Sequence, residues 1–254
     1  MRGILLTVLA VLFLAVPALG TEDASPPFGP GERLYYDIHW TVVRAGKAEL
    51  ICRDDTEMDG VPARYFFAKA RTLGWVDNFY KVRDTMEAWT DMGVNHALRY
   101  KKDQREGSYR KKVDLIFDKR TNQSYRYARG KLQHTLDQPA DVFDPMSILF
   151  AFRKHALHEG MEFNANVSDG KVSVVGKAFV EGREKVETGI GDVDAYRVRL
   201  DIRHLSGVFK KSDNAELYVW FSADDRRIPV KVKSKVVVGF FSMTLREYYP
   251  PKKG

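Results

Sequence analysis

From residue 34 onward, the chain consists of short runs rich in aromatic and β-branched residues, many with alternating apolar and polar positions. Such runs predict β-strands, because successive side chains of a strand point to opposite faces of a sheet. The breaks are short and rich in turn-forming residues, as in DGVP at 59–62, REGS at 105–108 and DKRTN at 118–122. Breaks of this length join antiparallel neighbours and leave no room for crossover helices. The predicted strands are residues 34–40, 45–52, 64–72, 80–89, 96–105, 109–117, 124–129, 161–168, 171–176, 178–188, 195–203, 215–221, 227–236 and 237–247.

One segment, DPMSILFAFRKHALHEG at 144–160, departs from this pattern and predicts a helix. Asp144 is a good N-terminal cap, Pro145 suits the first helical position, and Gly160 can end the helix. The residues between them are apolar on nearly every side over 146–152, which is typical of a buried helix. The sequence therefore predicts a mainly β protein, with a single curved antiparallel sheet or partial barrel of many strands wrapped round one buried helix.

The first twenty residues, MRGILLTVLAVLFLAVPALG, have the layout of a secretory signal peptide. One positive charge at Arg2 precedes an apolar run over 4–16, and small residues lead to a cleavage site after Gly20. The run is short for a membrane-spanning helix, and an uncleaved membrane anchor is the alternative. The predicted organisation is a signal peptide at 1–20, a Pro/Gly-rich flexible lead-in at 21–31, a single β-rich domain at 32–249 and a tail at 250–254.

The sequence carries no strong catalytic signature. It has no GxSxG nucleophile elbow, no GxxxxGKS phosphate loop and no HExxH zinc motif. Among six histidines, only His155 and His158 are close enough to share a helix face, near the end of the predicted helix, where capping is favoured over metal binding. The single cysteine, Cys52, lies on a predicted strand with no histidine nearby, which indicates a buried residue rather than a nucleophile. We expect a protein that is not an enzyme and uses no metal or cofactor.

Asp84 stands on the apolar side of its predicted strand, in register with Val82 and Met86. A carboxylate in such a position is costly unless it is paired. The sequence predicts a structural ion pair between Asp84 and an inward-pointing arginine, and a functional acid is the alternative.

Basic residues form rows along two predicted strands of a chain with a formal net charge of +7. Because they alternate with apolar residues, each row occupies one face of its strand. A third basic stretch, RYKKDQREGSYRKK at 99–112, predicts a hairpin. The rows are either a solvated outer face or a surface that contacts anionic envelope material such as phospholipid, lipopolysaccharide or acidic polymer. The residues predicted to make this contact are Lys231, Lys233, Lys235, Arg197 and Arg199.

Several longer stretches occur in a characteristic order. They are GERLYYDIHW at 31–40, RAGKAEL at 44–50, FDPMSILFAFRKHALHEG at 143–160, GDVDAYRVRL at 191–200 and LYVWFSADDRRIPVKVKSKVVVGFFSMTL at 217–245. Together they resemble the DUF3108 family of bacterial envelope proteins, which has no established biochemical activity. The resemblance implies an exported, periplasmic protein. Its implied architecture is similar to the lipoprotein-carrier half-barrels, in which a curved antiparallel sheet holds a helix and an apolar cavity.

Two functional classes follow, with an unrecognised hydrolase as a third. The first is a non-enzymatic periplasmic binding protein for lipid or lipoprotein acyl chains in envelope maintenance. The second is a structural or adaptor protein of the envelope, with a filled core and no small-molecule ligand. Partners would be an acyl chain or an anionic membrane surface and not nucleic acid, and the sequence identifies no protein partner. The residues predicted to line the acyl-chain site are Trp40, Trp75, Phe79, Met146, Phe150 and Trp220.

Export makes a direct prediction about the mature protein. N-terminal sequencing of protein purified from the envelope should begin at Thr21, because the charged start, short apolar run and small-residue exit together favour cleavage after Gly20. A sequence that begins at Met1 would contradict the signal peptide and favour the retained anchor.

Overall fold

The structure is a computed structural model that describes residues 26–201, 217–235 and 240–252. Within these residues the chain forms fifteen β-strands and two short helices. The strands are β1 Arg33–Trp40, β2 Val43–Cys52, β3 Thr56–Met58, β4 Val61–Thr72, β5 Arg83–Thr90, β6 Ala97–Glu106, β7 Tyr109–Asp118, β8 Gln123–Ala128, β9 Lys131–Asp137, β10 Glu162–Ser168, β11 Ser173–Thr188, β12 Gly191–Asp201, β13 Leu217–Ser222, β14 Pro229–Lys235 and β15 Phe240–Tyr249. The helices are α1 Gly74–Asp77 and α2 Ser147–Arg153.

The strands form one antiparallel sheet in which neighbours in sequence are mostly neighbours in space. The order across the sheet is β10-β11-β12-β13-β14-β15-β1-β2-β4-β5-β6-β7-β8-β9, and β3 pairs only with β4. Because β1 pairs with both β2 and β15, the first and last strands meet inside the sheet. Among the described residues the sheet stays open, with β9 and β10 at its edges. The predicted single antiparallel sheet is confirmed.

The strand pattern differs from the prediction in several places: the short strand β3 is not predicted, and β5 begins at Arg83 rather than at residue 80. Strand β9 is a mostly polar edge strand whose two leucines, Leu132 and Leu136, are four residues apart, so alternation of polarity does not reveal it. The predicted runs 171–176 and 178–188 form the single strand β11, which a bulge between Val180 and Gly182 bends without ending it. The predicted strand residues 202–203, 215–216 and 236–239 lie outside the described residues.

Helix α2 covers the side of the sheet that carries the apolar side chains, and it is itself buried. Phe150 is fully buried, and its ring stacks on that of Phe66 in β4 with centroids 3.7 Å apart. Phe152 packs against Phe221 of β13, in a second cluster with apolar residues of β11 and β12. Opposite sides of the helix contact the core. The apolar residues on nearly every side of this segment therefore do mark a buried helix, as the sequence predicts.

The bounds of α2 differ from the predicted ones. Asp144 does cap this end, since its Oδ1 accepts the backbone N–H groups of Met146 and Ser147 at 2.8 and 3.0 Å, but the helix begins only at Ser147. It ends at Arg153, whose carbonyl accepts a hydrogen bond from the Arg227 side chain at 2.6 Å. A side chain from a distant turn thus occupies the helix end, and the prediction that the helix continues toward residue 160 is wrong.

A buried ion pair joins α2 to the segment before β1. Arg153 donates from both Nη atoms to the Glu32 carboxylate at 2.7 and 2.8 Å, and neither side chain is exposed. Arg153 also donates to the carbonyl oxygens of Arg226 and Arg227 in the β13–β14 connection. Neither partner stands out in the sequence pattern. The available signal is the arginine that directly follows the apolar run of α2, because arginine is almost never fully buried unless it is paired.

The predicted flexible lead-in is packed where the structure describes it, over residues 26–31. Phe28 is only 3% exposed, and its ring meets Phe66 and Phe150 edge-on. The prolines and glycines of this segment therefore shape a path along the core rather than loosen the chain. The predicted signal peptide at 1–20 lies outside the described residues.

Replacing Phe150 with Ala tests the burial of α2. The free energy of unfolding should fall by roughly 3–5 kcal/mol, because the loss of a stacked, fully buried ring leaves a cavity. Urea denaturation measures the change, and Phe79→Ala is a matched control, since Phe79 is 84% exposed. The control should change stability by less than about 0.5 kcal/mol. A loss below about 1 kcal/mol for Phe150→Ala would contradict a buried helix.

Candidate functional site

The basic residues of the two predicted rows lie on one face of β12 and β14, the two strands that flank β13, and we call this surface the basic face. It comprises Arg197, Arg199, Lys231, Lys233 and Lys235. The register brings the rows together, because Arg197 lies opposite Trp220 of β13 and Trp220 lies opposite Lys231. Likewise, Arg199 lies opposite Tyr218 of β13, and Tyr218 lies opposite Lys233. Valines between these residues point to the other side, into the core beside α2.

Aromatic rings separate the cations of the basic face. Each cation–ring distance lies within the range of an attractive cation–π contact, worth about 0.5–1 kcal/mol at exposed sites. These contacts hold the long side chains along the sheet, over rings that are half-buried or, for Trp220, buried. The pairs are Arg199 with Phe179 at 4.6 Å, Arg197 with Tyr218 at 5.9 Å, Lys231 with Trp220 at 5.2 Å and Lys233 with Phe240 at 4.6 Å from ring centroid to cation.

The positive charge of the basic face is compensated at the arginines and not at the lysines. Glu181 of β11 forms ion pairs with Arg197 at 3.3 Å and Arg199 at 2.7 Å. Among the described residues, none forms an ion pair with the three lysines of β14. The lysine row therefore supplies the uncompensated charge of this face.

A second basic surface is a cleft of about 640 Å³, which we call the basic cleft. Most of its lining residues come from the outer side of β5, β6 and β7, and the β6–β7 hairpin predicted at 99–112 supplies five of them. The sequence pattern misses the contributions of β5 and the β8–β9 turn, because only strand pairing brings them to the hairpin. The lining residues are Lys81, Arg83, Asp103, Arg105, Arg110, Lys111, Lys112 and Arg129.

The six residues predicted to line an acyl-chain site divide into three that are buried and three that are exposed. Met146, Phe150 and Trp220 are buried members of one core cluster. The strand register places Trp220 between Arg197 and Lys231, and its indole N–H donates to Glu184. The other three, Trp40, Trp75 and Phe79, are exposed near one end of the sheet. None of the six lines the basic cleft or a second described cleft of about 590 Å³, whose walls carry both signs of charge.

Asp84 has a different partner from the predicted one. Its carboxylate accepts the backbone N–H of Arg105 at 2.8 Å, and it forms no ion pair with an arginine among the described residues. It lies instead beside the carboxyl group of Glu106. Burial, followed by the neighbouring Asp84, raises the pKa of Glu106. The prediction of an arginine ion pair is therefore wrong, and the inner side of β5 and β6 holds a pair of carboxyl groups.

Cys52 is fully buried, as the sequence predicts, and has no disulfide partner. Burial raises the pKa of its thiol to about 12, so the thiol keeps its proton at neutral pH. Within the described residues there is no group of three or more His, Cys, Asp or Glu side chains that could hold a metal ion. In the same part of the chain, no helix has the length and apolar character needed to cross a membrane.

Comparisons with known proteins identify the family and support the fold. The model of the family described as "Protein of unknown function (DUF3108)" matches residues 35–246. The solved structure of a β-barrel-like protein of DUF1849, a domain of unknown function, from Brucella abortus is similar at a TM-score of 0.53 and 10% identity, over 87% of this chain and 98% of that one. No curated protein matches the chain.

Two further solved structures are similar at lower scores. One is a proposed lipoprotein of Parabacteroides distasonis, with 10% identity over 90% of this chain and 100% of that chain and a TM-score of 0.37. The other is a protein of Bacteroides fragilis, proposed to be exported and to have a YmcC-like fold, with 9% identity over 88% and 97% of the two chains and a TM-score of 0.38. Scores this low carry no conclusion about this chain.

Asp144 offers a test of the buried end of α2. Burial raises the pKa of its carboxyl group from 3.8 to about 6, so the folded state holds a proton that the unfolded state releases. The stabilisation that this proton provides is complete below pH 3.8 and is lost as the pH rises through 6, by roughly 3 kcal/mol in all. Asp144→Asn keeps an oxygen to cap the turn but cannot ionise.

The free energy of unfolding of Asp144→Asn, measured by urea denaturation from pH 4 to 7, should therefore decline less than that of the wild type. Asp144→Ala is the control, since it removes both the cap and the ionisable group and should cost about 1 kcal/mol more than Asn at each pH. Equal pH slopes for the wild type and Asp144→Asn would show that this carboxyl group does not titrate in the window.

Proposed function

We propose that this chain, which belongs to the DUF3108 family, is an exported, non-enzymatic binding protein that docks on anionic surfaces of the bacterial envelope through its basic face. The observation that carries the proposal is the strand register that gathers five cations and their aromatic partners on one face. Cations attract anionic headgroups, and aromatic rings suit the boundary between water and an apolar phase. Export rests on the signal-peptide layout of residues 1–20.

The lysine row dominates the expected attraction. A lysine or arginine close to an anionic membrane contributes about 1 kcal/mol to the free energy of membrane binding. This holds when no carboxylate of the protein already pairs with the cation. Glu181 pairs with both arginines, so Arg197 and Arg199 contribute less than the three lysines of β14. We therefore assign the docking to Lys231, Lys233 and Lys235 in the first place.

The geometry favours an adaptor over an acyl-chain carrier. A carrier would need an apolar pocket of about 300–1,000 Å³, whereas both described clefts have charged walls and α2 packs into the core. Of the six residues predicted to line such a pocket, three are packed in the core and the other three are exposed. Binding of lipid or lipoprotein acyl chains stays a prediction of the sequence, and saturable uptake of a fluorescent fatty acid would establish it.

Reversing the three lysines of β14 to Glu tests the docking face. Partition onto phosphatidylglycerol-containing vesicles should weaken roughly hundredfold at low salt, because about 1 kcal/mol of attraction is lost at each position. Vesicle sedimentation measures the change, and the difference from the wild type should shrink as salt is added. Reversing Arg197 and Arg199 instead should have a smaller effect.

A matched control changes the net charge equally elsewhere on the surface. Lys69, Lys119 and Lys171 are exposed, and none of them belongs to the basic face or the basic cleft. Their reversal to Glu should weaken sedimentation only slightly. Equal sedimentation of the β14 variant and this control would show that net charge acts without a defined face, and the proposal would fail.

A further inference from the structure

One end of the sheet exposes a group of apolar side chains that the basic face does not use. They come from the β1–β2 hairpin and from the connection between β4 and β5. Phe79 and Val42 are each 84% exposed, and Trp75 is 52% exposed. Single exposed apolar residues are common, but a group on neighbouring loops points to an interaction surface. We call this group the aromatic end; it comprises Trp40, Val42, Val43, Trp75, Phe79 and Tyr80.

Backbone hydrogen bonds hold the aromatic end together and attach it to the basic cleft. The N–H of Leu73 donates to the Ala45 carbonyl at 2.9 Å, which joins the β4–β5 connection to β2. The N–H of Gly107 donates to the Lys81 carbonyl at 2.8 Å, which joins the same connection to the β6–β7 turn. The exposed rings and the basic cleft are therefore parts of one surface.

The exposed rings sit on a segment that polar contacts pin in place. Arg83 forms an ion pair with Asp77 at the end of α1, and the Thr72 hydroxyl donates to the same carboxylate. The N–H of Val82 donates to Thr72 Oγ1 at 3.0 Å. The exposure of Trp75 and Phe79 is therefore a property of the folded β4–β5 connection.

The basic cleft beside these rings carries charge that carboxylates do not neutralise. Asp77 pairs with Arg83, and Asp103 pairs with Arg105 and Lys112. Within the described residues, the other four cations of the cleft form no ion pair. They are Lys81, Arg110, Lys111 and Arg129.

We infer that the aromatic end inserts into the headgroup region of an anionic phospholipid bilayer, with the phosphates of that bilayer neutralising the basic cleft. Tryptophan, tyrosine and phenylalanine favour this depth, and lysine and arginine next to them attract anionic headgroups. A soluble phosphate ligand would account for the cations but not for the exposure of Trp75 and Phe79. This contact uses other strands than the basic face and goes beyond the docking proposed above.

Fluorescence quenching tests the insertion directly. The chain has four tryptophans, of which Trp40 and Trp75 belong to the aromatic end and Trp220 to the basic face. Vesicles of phosphatidylglycerol and phosphatidylcholine with brominated acyl chains should quench the wild-type emission. The Trp40→Phe, Trp75→Phe double variant should lose most of that quenching, whereas Trp220→Phe should keep it. Quenching that disappears only in Trp220→Phe would overturn the insertion and favour docking through the basic face.

Charge and ring variants separate the two components of the contact. Arg110→Glu with Lys111→Glu should weaken vesicle binding about thirtyfold, and Phe79→Ser should reduce quenching at saturating vesicle concentration. Leu132→Ser, at an exposed position on the edge strand β9, is the control and should change neither. Loss of binding in the β14 lysine variant alone would support the basic face and contradict the inference.

A competition experiment distinguishes the bilayer from a soluble phosphate. Inorganic pyrophosphate at constant ionic strength should leave quenching by brominated vesicles unchanged. Saturable binding of pyrophosphate to the protein without vesicles, together with displacement of the vesicles, would assign the basic cleft to a soluble ligand and overturn the inference.

Discussion

The buried ion pair between Glu32 and Arg153 is the interaction on which the arrangement of this protein depends. Both side chains are fully buried, and the guanidinium also donates to two carbonyls of the β13–β14 connection. One side chain of α2 thus joins the residue before β1 to the β13–β14 connection. Two buried charges are tolerated because they satisfy each other, and loss of either would leave the other unpaired at a cost of about 3–5 kcal/mol.

The position of α2 decides which surfaces remain for function. With the helix packed on the inner side, Phe150 and Met146 are part of the core. The groups left for recognition are then those on the outer side of the strands and at the end of the sheet. These are the basic face and the basic cleft with its neighbouring aromatic end, and each combines cations with aromatic rings.

Membership of the DUF3108 family and the likeness to a DUF1849 structure describe the fold and leave the activity open, since one fold supports many functions. The function then depends on individual side chains. On the basic face, Glu181 separates compensated arginines from uncompensated lysines. In the basic cleft, Asp77 and Asp103 pair with three of the seven cations. The other four form no ion pair among the described residues. In both places local pairing, rather than the number of basic residues, sets the charge that a partner would meet.

The sequence by itself determined the features that depend on local periodicity. Alternation placed Lys231, Lys233 and Lys235 on one face, and the all-round apolar segment identified α2 as buried. Only the tertiary structure decided which distant groups meet. Glu32 and Arg153 are 121 residues apart, Arg153 ends α2 earlier than its caps indicate, and strand pairing brings Arg83 to the β6–β7 hairpin. The physical reason is that periodicity fixes the direction of a side chain relative to its own strand or helix, whereas its partners depend on how the strands are ordered and in which register they pair.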